Sequence, residues 1–317
     1  MTGLTNVSVR LEEMDALNID VQVLISSIFI AMTIDHPLRE AAITRSYNRW
    51  VAERSADAGG RLPWLVVPPT GSVDRALEEI EFGRNHGAVG VMLKGVEHGM
   101  YLDDPYFDPL YAKIQDLDMV VGVHAGINTR DVKDLPLADL IPTPAALLDH
   151  VLGPMKGLHA VLSSNIEQRF PRLRWAFLET GSTWVPAVFQ QHQRLMSTSR
   201  PDGFVRGDDG VGVVIDHFKV AEIMEKKQLF VACETDEDLP YLTALLGPSQ
   251  LVFGSDYCHN DAGSDPLGHS VIRSRTDLAP EIANAIVDGN GRKLLGIDEN
   301  FCPAPATRPE RVDLPAG

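Results

Sequence analysis

The sequence predicts an α/β domain of parallel strands, each followed by a helix. Three observations predict it. Short, nearly unbroken apolar runs alternate with helical stretches over residues 21–296. The runs lack the strict polar–apolar alternation of a sheet with one wet face, so helices must cover both sides. Each run ends in a polar or turn-forming residue, on the edge where such sheets place their chemistry.

The elements follow in order. VQVLISS (21–27) leads into HPLREAAITRSYNRWVAERSAD, a helix with an Arg-rich polar face. RLPWLVVPP (61–69) precedes SVDRALEEIEFGRNHG, where Ser72 is the expected N-cap and Gly87 the stop. VGVMLKG (89–95) precedes DPYFDPLYAKIQDLD, and MVVGVHAG (119–126) precedes a long connection containing TPAALLDHVLGPMKGLHAVLSSNIEQRFP. LRWAFLETG (173–181) leads into STWVPAVFQQHQRLM, and QLFVACETDED (228–238) into LPYLTALLG. QLVFGSDY (250–257) precedes a last helical region at 279–296. No composition break divides these seven units, so residues 1–300 read as one domain. A (β/α) barrel is the natural solution, with an open doubly wound sheet as its rival. No strand enters a G-x-G-x-x-G turn, which argues against a dinucleotide site. Residues 301–317 are Pro-rich and read as an extended arm.

The 317 residues carry 28 Lys and Arg against 44 Asp and Glu, a formal charge of −16. Phosphate backbones need clustered cations, so no nucleic-acid partner is expected. No apolar run reaches the ~18 residues of a membrane span, and the opening MTGLTNVSVRLEEMD lacks the layout of a signal peptide. Cys233, Cys258 and Cys302 are too scattered for a disulfide framework or a zinc ribbon. These features predict a cytoplasmic enzyme acting on a small molecule, without a membrane partner, as a homo- or hetero-oligomer.

The strand ends carry the candidate chemistry. His124 closes VVGVH, where two ring nitrogens need partners; a core histidine bonded to backbone is the plain alternative. Asp256 closes the last strand, where a buried carboxylate must be paired or bind a cation. One imidazole and one carboxylate at two strand ends are typical ligands for zinc, manganese or iron. Glu179 ends the strand between them in sequence and is a third ligand or a general base, against a capping role. His259 follows on the Asp256 loop, with Asp261 just beyond, and is placed to orient the aspartate or take part in the reaction. Lys94 and Glu234 are candidate substrate-binding residues; a salt bridge and a solvated acidic loop are their respective alternatives. The remaining histidines fit no ligand spacing and are read as structural or solvated.

RLEEMDALNIDVQVL, YLDDPYFDPLYAKIQDLDMVVGVHAG, RFPRLRWAFLETGSTWVPAVF and DLPYLTALLGPSQLVFGSDYCHND resemble successive blocks of the amidohydrolase-related family, from about residue 10 to 296. That family includes aminocarboxymuconate semialdehyde decarboxylase, orsellinate- and resorcylate-type decarboxylases and amidohydrolase 2 hydrolases. The resemblance implies a distorted (β/α)8 TIM barrel. It implies that His124 is the metal-binding histidine of the fifth strand and Asp256 the metal-binding aspartate of the eighth. Glu179 falls where decarboxylase members carry a catalytic histidine, and glutamate there occurs in hydrolase-like relatives. CETDEDLPY and SDY.H.D resemble a branch in which some members use two-metal, oxygen-activating sites, which Lys94 would suit. The family opens with an H-x-H or E-x-H strand supplying two further ligands. TNVSV (5–9) has neither, so the first strand is expected to be missing or displaced.

The expected function is metal-dependent hydrolysis of a small anionic or carbonyl-containing substrate through a metal-activated water, with zinc first and manganese or iron as alternatives. Asp256 or Glu179 would take the proton. Non-oxidative decarboxylation is the alternative, together with a catalytically impaired partner subunit of a homologous metalloenzyme. A two-metal oxygenase is a third reading.

Overall fold

The computed structural model describes residues 4–30, 34, 36–126, 147–197, 219–259 and 263–298. Asp261, His217 and the Pro-rich arm lie outside the described residues. The strands are β1 (Trp64–Val66), β2 (Ala88–Lys94), a short hairpin of β3 (Val96–Glu97) and β4 (Met100–Tyr101), β5 (Val120–His124), β6 (Arg174–Leu178), β7 (Leu229–Cys233) and β8 (Leu251–Phe253). The helices are α1 (Val7–Ala16), α2 (Pro37–Ala56), α3 (Val73–Asn85), α4 (Asp108–Asp116), α5 (Leu147–Ser163), α6 (Ile166–Arg169), α7 (Val185–Ser197), α8 (Val220–Lys226), α9 (Leu239–Leu246), α10 (Gly268–Ser274), α11 (Pro280–Asn284) and α12 (Asn290–Leu295).

Six strands form one parallel sheet in the order β1-β2-β5-β6-β7-β8. The run at 21–27 adds a seventh member through a single parallel bridge between Leu24 and Trp64. Its backbone bonds alternate in the manner of a strand: Leu24 N donates to Pro63 O at 2.8 Å and Leu65 N to Leu24 O at 3.0 Å. TNVSV is not a strand, since α1 begins at Val7 with Asn6 as its N-cap. The β3–β4 hairpin, α8 and α10 were not expected as separate elements; the hairpin follows β2, and α8 runs directly into β7.

Both faces of the sheet are apolar, as the unbroken runs require. Trp64, Val66, Val91, Leu93, Val121, Val123, Trp175, Phe177, Leu229 and Val231 face the helices in one cluster. Leu65, Val67, Met92, Val120, Ala176, Phe230, Ala232 and Val252 form a second cluster on the opposite face. The two sets alternate residue by residue, the period of a pleated strand. The second face is tight. A Cβ on Gly90 would lie 2.4 Å from Val120 Cγ1, and one on Gly122 2.7 Å from Leu65 Cδ1. Glycine is therefore required at both positions for neighbouring strands to approach.

The helices are pinned at few points. Pro37 opens α2, and its buried stripe of Ala41, Thr44, Asn48, Val51, Ala52 and Ser55 repeats at helical spacing. Asn48 substitutes for a strand neighbour: its Nδ2 donates to Val67 O at 3.0 Å, and Val67 N donates to its Oδ1 at 3.1 Å. α1 docks through the buried ion pair Arg61–Asp15 at 2.8 Å. It also reaches the chain after β8, where Arg10 donates to Cys258 Sγ at 2.8 Å and Tyr257 donates to Glu13 Oε2 at 2.6 Å. Among the described residues, no helix is long and apolar enough to cross a membrane.

Candidate metal centre

Strand register brings the polar ends together. Lys94 pairs with His124, and His124 pairs with Leu178, the residue before Glu179. Side chains alternate between faces, so Lys94, His124 and Glu234 fall on the same face as Met92, Val120, Phe230 and Ala232. Glu179 has the wrong parity, because Ala176 and Leu178 already point to that face. Its backbone corrects this. Glu179 takes φ 60, in the left-handed region, and the turned backbone lets the carboxylate join its neighbours. Asp256 at φ 42 and Cys258 at φ 80 share that conformation. Left-handed backbone at non-glycine residues costs roughly 1–3 kcal/mol each and persists where surrounding structure over-determines it, as at ligand sites.

Two carboxylates and two imidazoles alternate in a row. His124 Nε2 lies 2.9 Å from Glu179 Oε2. Glu179 Oε1 lies 3.3 Å from His259 Nδ1, which lies 3.0 Å from Asp256 Oδ2. Glu179, Asp256 and His259 each offer a ligand atom, all within 4.8 Å of one another. His124 is buried, while His259 keeps 35% of its side chain exposed, so the row runs from the interior to the mouth.

The donor chemistry fits a divalent cation. His124 Nδ1 lies 2.9 Å from Ala125 O, which only accepts, so Nδ1 carries a proton and Nε2 is the ring atom that faces Glu179. Glu179 Oε2 is buried, and His124 Nε2 at 2.9 Å is its ion-pair partner. A nitrogen lone pair facing a carboxylate oxygen is repulsive unless a proton or a cation lies between them. Ligands at ~2.1 Å from one ion and at right angles would be ~3 Å apart, close to this spacing. Burial pushes the Glu179 carboxyl up, but the bonds and charges of His124 and His259 outweigh it and hold the group below the usual carboxylate range.

Glu234 ends β7 between the Glu179 and Asp256 strands. Burial, and the negative charges of Glu237, Asp236, Asp256 and Glu179, push its carboxyl up to about 7. Its carboxyl is thus held well above the range of an acid in a solvated loop. Lys94 is partly buried at the end of β2, and its backbone N donates to Glu97 Oε1 at 2.7 Å. Its aliphatic stem crosses the end of β5, since a Cβ on Gly126 would meet Lys94 Cγ and Cδ at 3.3 Å.

Sequence reasoning missed the carboxylates that hold these loops. Glu40 accepts from Gly71 N at 2.9 Å and from Thr70, Glu97 accepts from Thr70 and Lys94 N, and Glu237 ties the Glu179 and Glu234 loops. All three are buried. Glu40 sits on the buried stripe of α2, which was a usable signal; Glu97 and Glu237 look like solvated loop acids in sequence.

Comparison with known proteins agrees with this architecture. The chain is 21% identical over 301 residues to a 2-amino-3-carboxymuconate-6-semialdehyde decarboxylase of Dictyostelium discoideum, covering 92% of this chain and 77% of that protein. It is 29% identical over 144 residues to a subunit of a cholesterol ring-cleaving hydrolase of Rhodococcus jostii, covering 45% of this chain and 44% of that one. Its fold matches a 5-carboxyvanillate decarboxylase of Novosphingobium aromaticivorans, solved with bound manganese, at a TM-score of 0.73 and 16% identity, covering 93% of this chain and 81% of the other. The amidohydrolase family model matches residues 9–297, nearly the whole of the described sheet and its helices, and the chain belongs to that family.

Proposed function

We propose that this chain is a metal-dependent decarboxylase of a small unsaturated or aromatic carboxylic acid. One observation carries the reading: Glu179, Asp256 and His259 each present a ligand atom within 4.8 Å of the others, and His124 Nε2 lies 2.9 Å from Glu179 Oε2. Glu179, Asp256 and His259 would hold a divalent ion with His124. Manganese is supported by the structural relative solved with it, and zinc and iron suit the same donors. When bound, such an ion draws electron density from the substrate oxygens and stabilises charge left on carbon.

The chain's own residues supply the rest. Lys94 neutralises the anionic substrate from the neighbouring strand end. The carbon–carboxyl bond breaks, carbon dioxide leaves, and the carbon keeps the bonding pair. Glu234, protonated near neutral pH, delivers the proton to that carbon and is recharged from water. The decarboxylase relatives favour this over the hydrolysis expected from the sequence alone.

The sheet is read as the wall of a distorted (β/α)8 barrel. Gln22 Nε2 reaches Ser255 Oγ at 3.5 Å, which brings the first and last sheet members close together. Neither Cys233 nor Cys258 is in a disulfide among the described residues, which suits a cytoplasmic enzyme.

The test is direct. Manganese-loaded protein is incubated with 5-carboxyvanillate and with 2-amino-3-carboxymuconate semialdehyde, and carbon dioxide and the shortened product are measured. Release that depends on the metal supports the reading. A ring-opened or hydrolysed product without carbon dioxide replaces it with the second reading, hydrolysis with Glu179 or Asp256 as base, which the ring-cleaving hydrolase subunit favours.

A further inference from the structure

We infer that Glu237 is the positioning residue of this centre: one buried carboxylate fixes the loops carrying Glu179 and Glu234 to each other. The inference rests on the metal-dependent reading above for its consequence, though not for its geometry.

Glu237 has four donors on its carboxylate. Ser182 N donates to Oε1 at 2.6 Å and Thr183 N to the same oxygen at 2.8 Å. Ser182 Oγ donates to Oε2 at 2.8 Å, and Glu234 N donates to that oxygen at 2.8 Å. A buried carboxylate held by four donors is fully satisfied, and charge-assisted bonds of this kind are about twice as strong as neutral ones. The first three donors belong to the turn that follows Glu179. That turn is strained at Glu179 itself, φ 60, and passes through Gly181 at φ 61. A Cβ on Gly181 would lie 2.9 Å from Glu237 Oε1, so the turn closes directly onto the carboxylate. The fourth donor is the backbone of Glu234. Trp184 Nε1 braces the same turn, donating to Thr180 Oγ1 at 3.1 Å and to Gly181 O at 2.9 Å, while Glu237 joins the turn to the Glu234 backbone.

The clamp also reaches the Asp256 loop. Arg275 Nη1 donates to Glu237 O and Thr235 O, both at 2.9 Å. Thr235 Oγ1 donates to Asp265 Oδ2 at 3.0 Å, and Asp265 N donates to Ser255 O at 3.0 Å. Three of the loops that carry the candidate site are thus tied to residues 235–237. Glu237 acts through Glu179 and Glu234 and is assigned no contact with substrate.

The test uses the full chain with Glu237→Ala and Glu237→Gln, and Leu242→Ala as a control that perturbs α9 without touching the clamp. Glutamine is informative because it keeps one acceptor oxygen and sets its amide against either Glu234 N–H or the Ser182 and Thr183 amides, donor against donor. Two quantities are read: hydrogen exchange at the amides of Ser182, Thr183 and Glu234, and the dissociation constant for Mn²⁺. The expected result is faster exchange at all three amides in Glu237→Ala. Mn²⁺ affinity should fall by about 10–100-fold, the usual effect of losing a group that orients ligands, with Leu242→Ala near wild type. Unchanged exchange in both Glu237 variants overturns the clamp. Faster exchange with undiminished Mn²⁺ affinity overturns the positioning role. If the wild-type chain binds no Mn²⁺, the metal reading fails by itself, and the exchange result alone decides the clamp.

Discussion

Glu179 Oε1 lies 3.3 Å from His259 Nδ1 although β7 stands between their strands in the sheet. The carboxylate therefore spans from the end of β6 across to the β8 loop, with His124 on its other oxygen. A group in that position joins both imidazoles of the row, and His259 carries the link on to Asp256 at 3.0 Å.

Glu179→Gln removes the central charge and keeps the volume. The expected outcome is loss of Mn²⁺ affinity by more than the about 10–100-fold that groups outside the first ligand sphere usually contribute. Isothermal titration of the purified variant measures it. Affinity within threefold of wild type would show that the ion, if any, is held elsewhere.

Glu234 gives the reaction a pH limb. The carboxyl is protonated below about 7 and ionised above it, and only the protonated form donates. The decarboxylation rate should fall as pH rises through about 7, and Glu234→Gln should lower kcat by about 10²–10⁴, the usual contribution of a general acid. A rate that is flat from pH 6 to 8 in wild type, or full activity in the glutamine variant, removes Glu234 from that role.

The strands, their parallel order and the polar residues at their ends were legible because buried parallel strands are nearly pure apolar runs. His124 and Asp256 stood out as polar groups closing such runs. Parity alone misplaces Glu179, which faces the site only because of its left-handed backbone, and no local sequence signal marks that conformation at a glutamate. Glu237 was hidden for another reason. Its acid-rich run, ETDED, reads as solvated, yet Glu237, one of its four acids, turns inward to donors contributed by a turn far away in sequence. Asn48 was likewise invisible, since two of its bonds go to backbone atoms of Val67, just past the end of β1.

Asn48 is a stability test independent of the metal. It is fully buried and exchanges two hydrogen bonds with Val67, with Glu79 Oε2 as a further acceptor at 3.0 Å. Asn48→Ala leaves Val67 N–H and C=O without these partners at the end of β1. The expected cost is about 2–4 kcal/mol, two buried backbone groups left unsatisfied at about 1–3 kcal/mol each with partial relaxation. Urea unfolding measures it. A loss below about 0.5 kcal/mol would mean that water replaces the side chain.

His192 makes the fold sensitive to acid. It is buried between α5 and α7, where its Nδ1 is 3.1 Å from Ser163 Oγ and its ring packs edge-on against His159 at 5.5 Å. Burial, and the charges of His159 and Lys227, lower its pKa to about 4. The unfolded chain takes up this proton near the ordinary value of about 6.5, while the folded chain refuses it until about 4. Stability from this group is therefore intact above pH 6.5 and is lost progressively as the pH falls to 4. The loss is up to about 3 kcal/mol, since each tenfold difference in proton affinity between the two states is worth about 1.4 kcal/mol. His159, whose pKa burial also lowers, acts in the same direction. Denaturant unfolding of wild type and His192→Gln at pH 7, 6, 5 and 4.5 should show the variant less stable at pH 7 but with a shallower decline. Parallel curves for the two proteins would place the acid sensitivity in other groups.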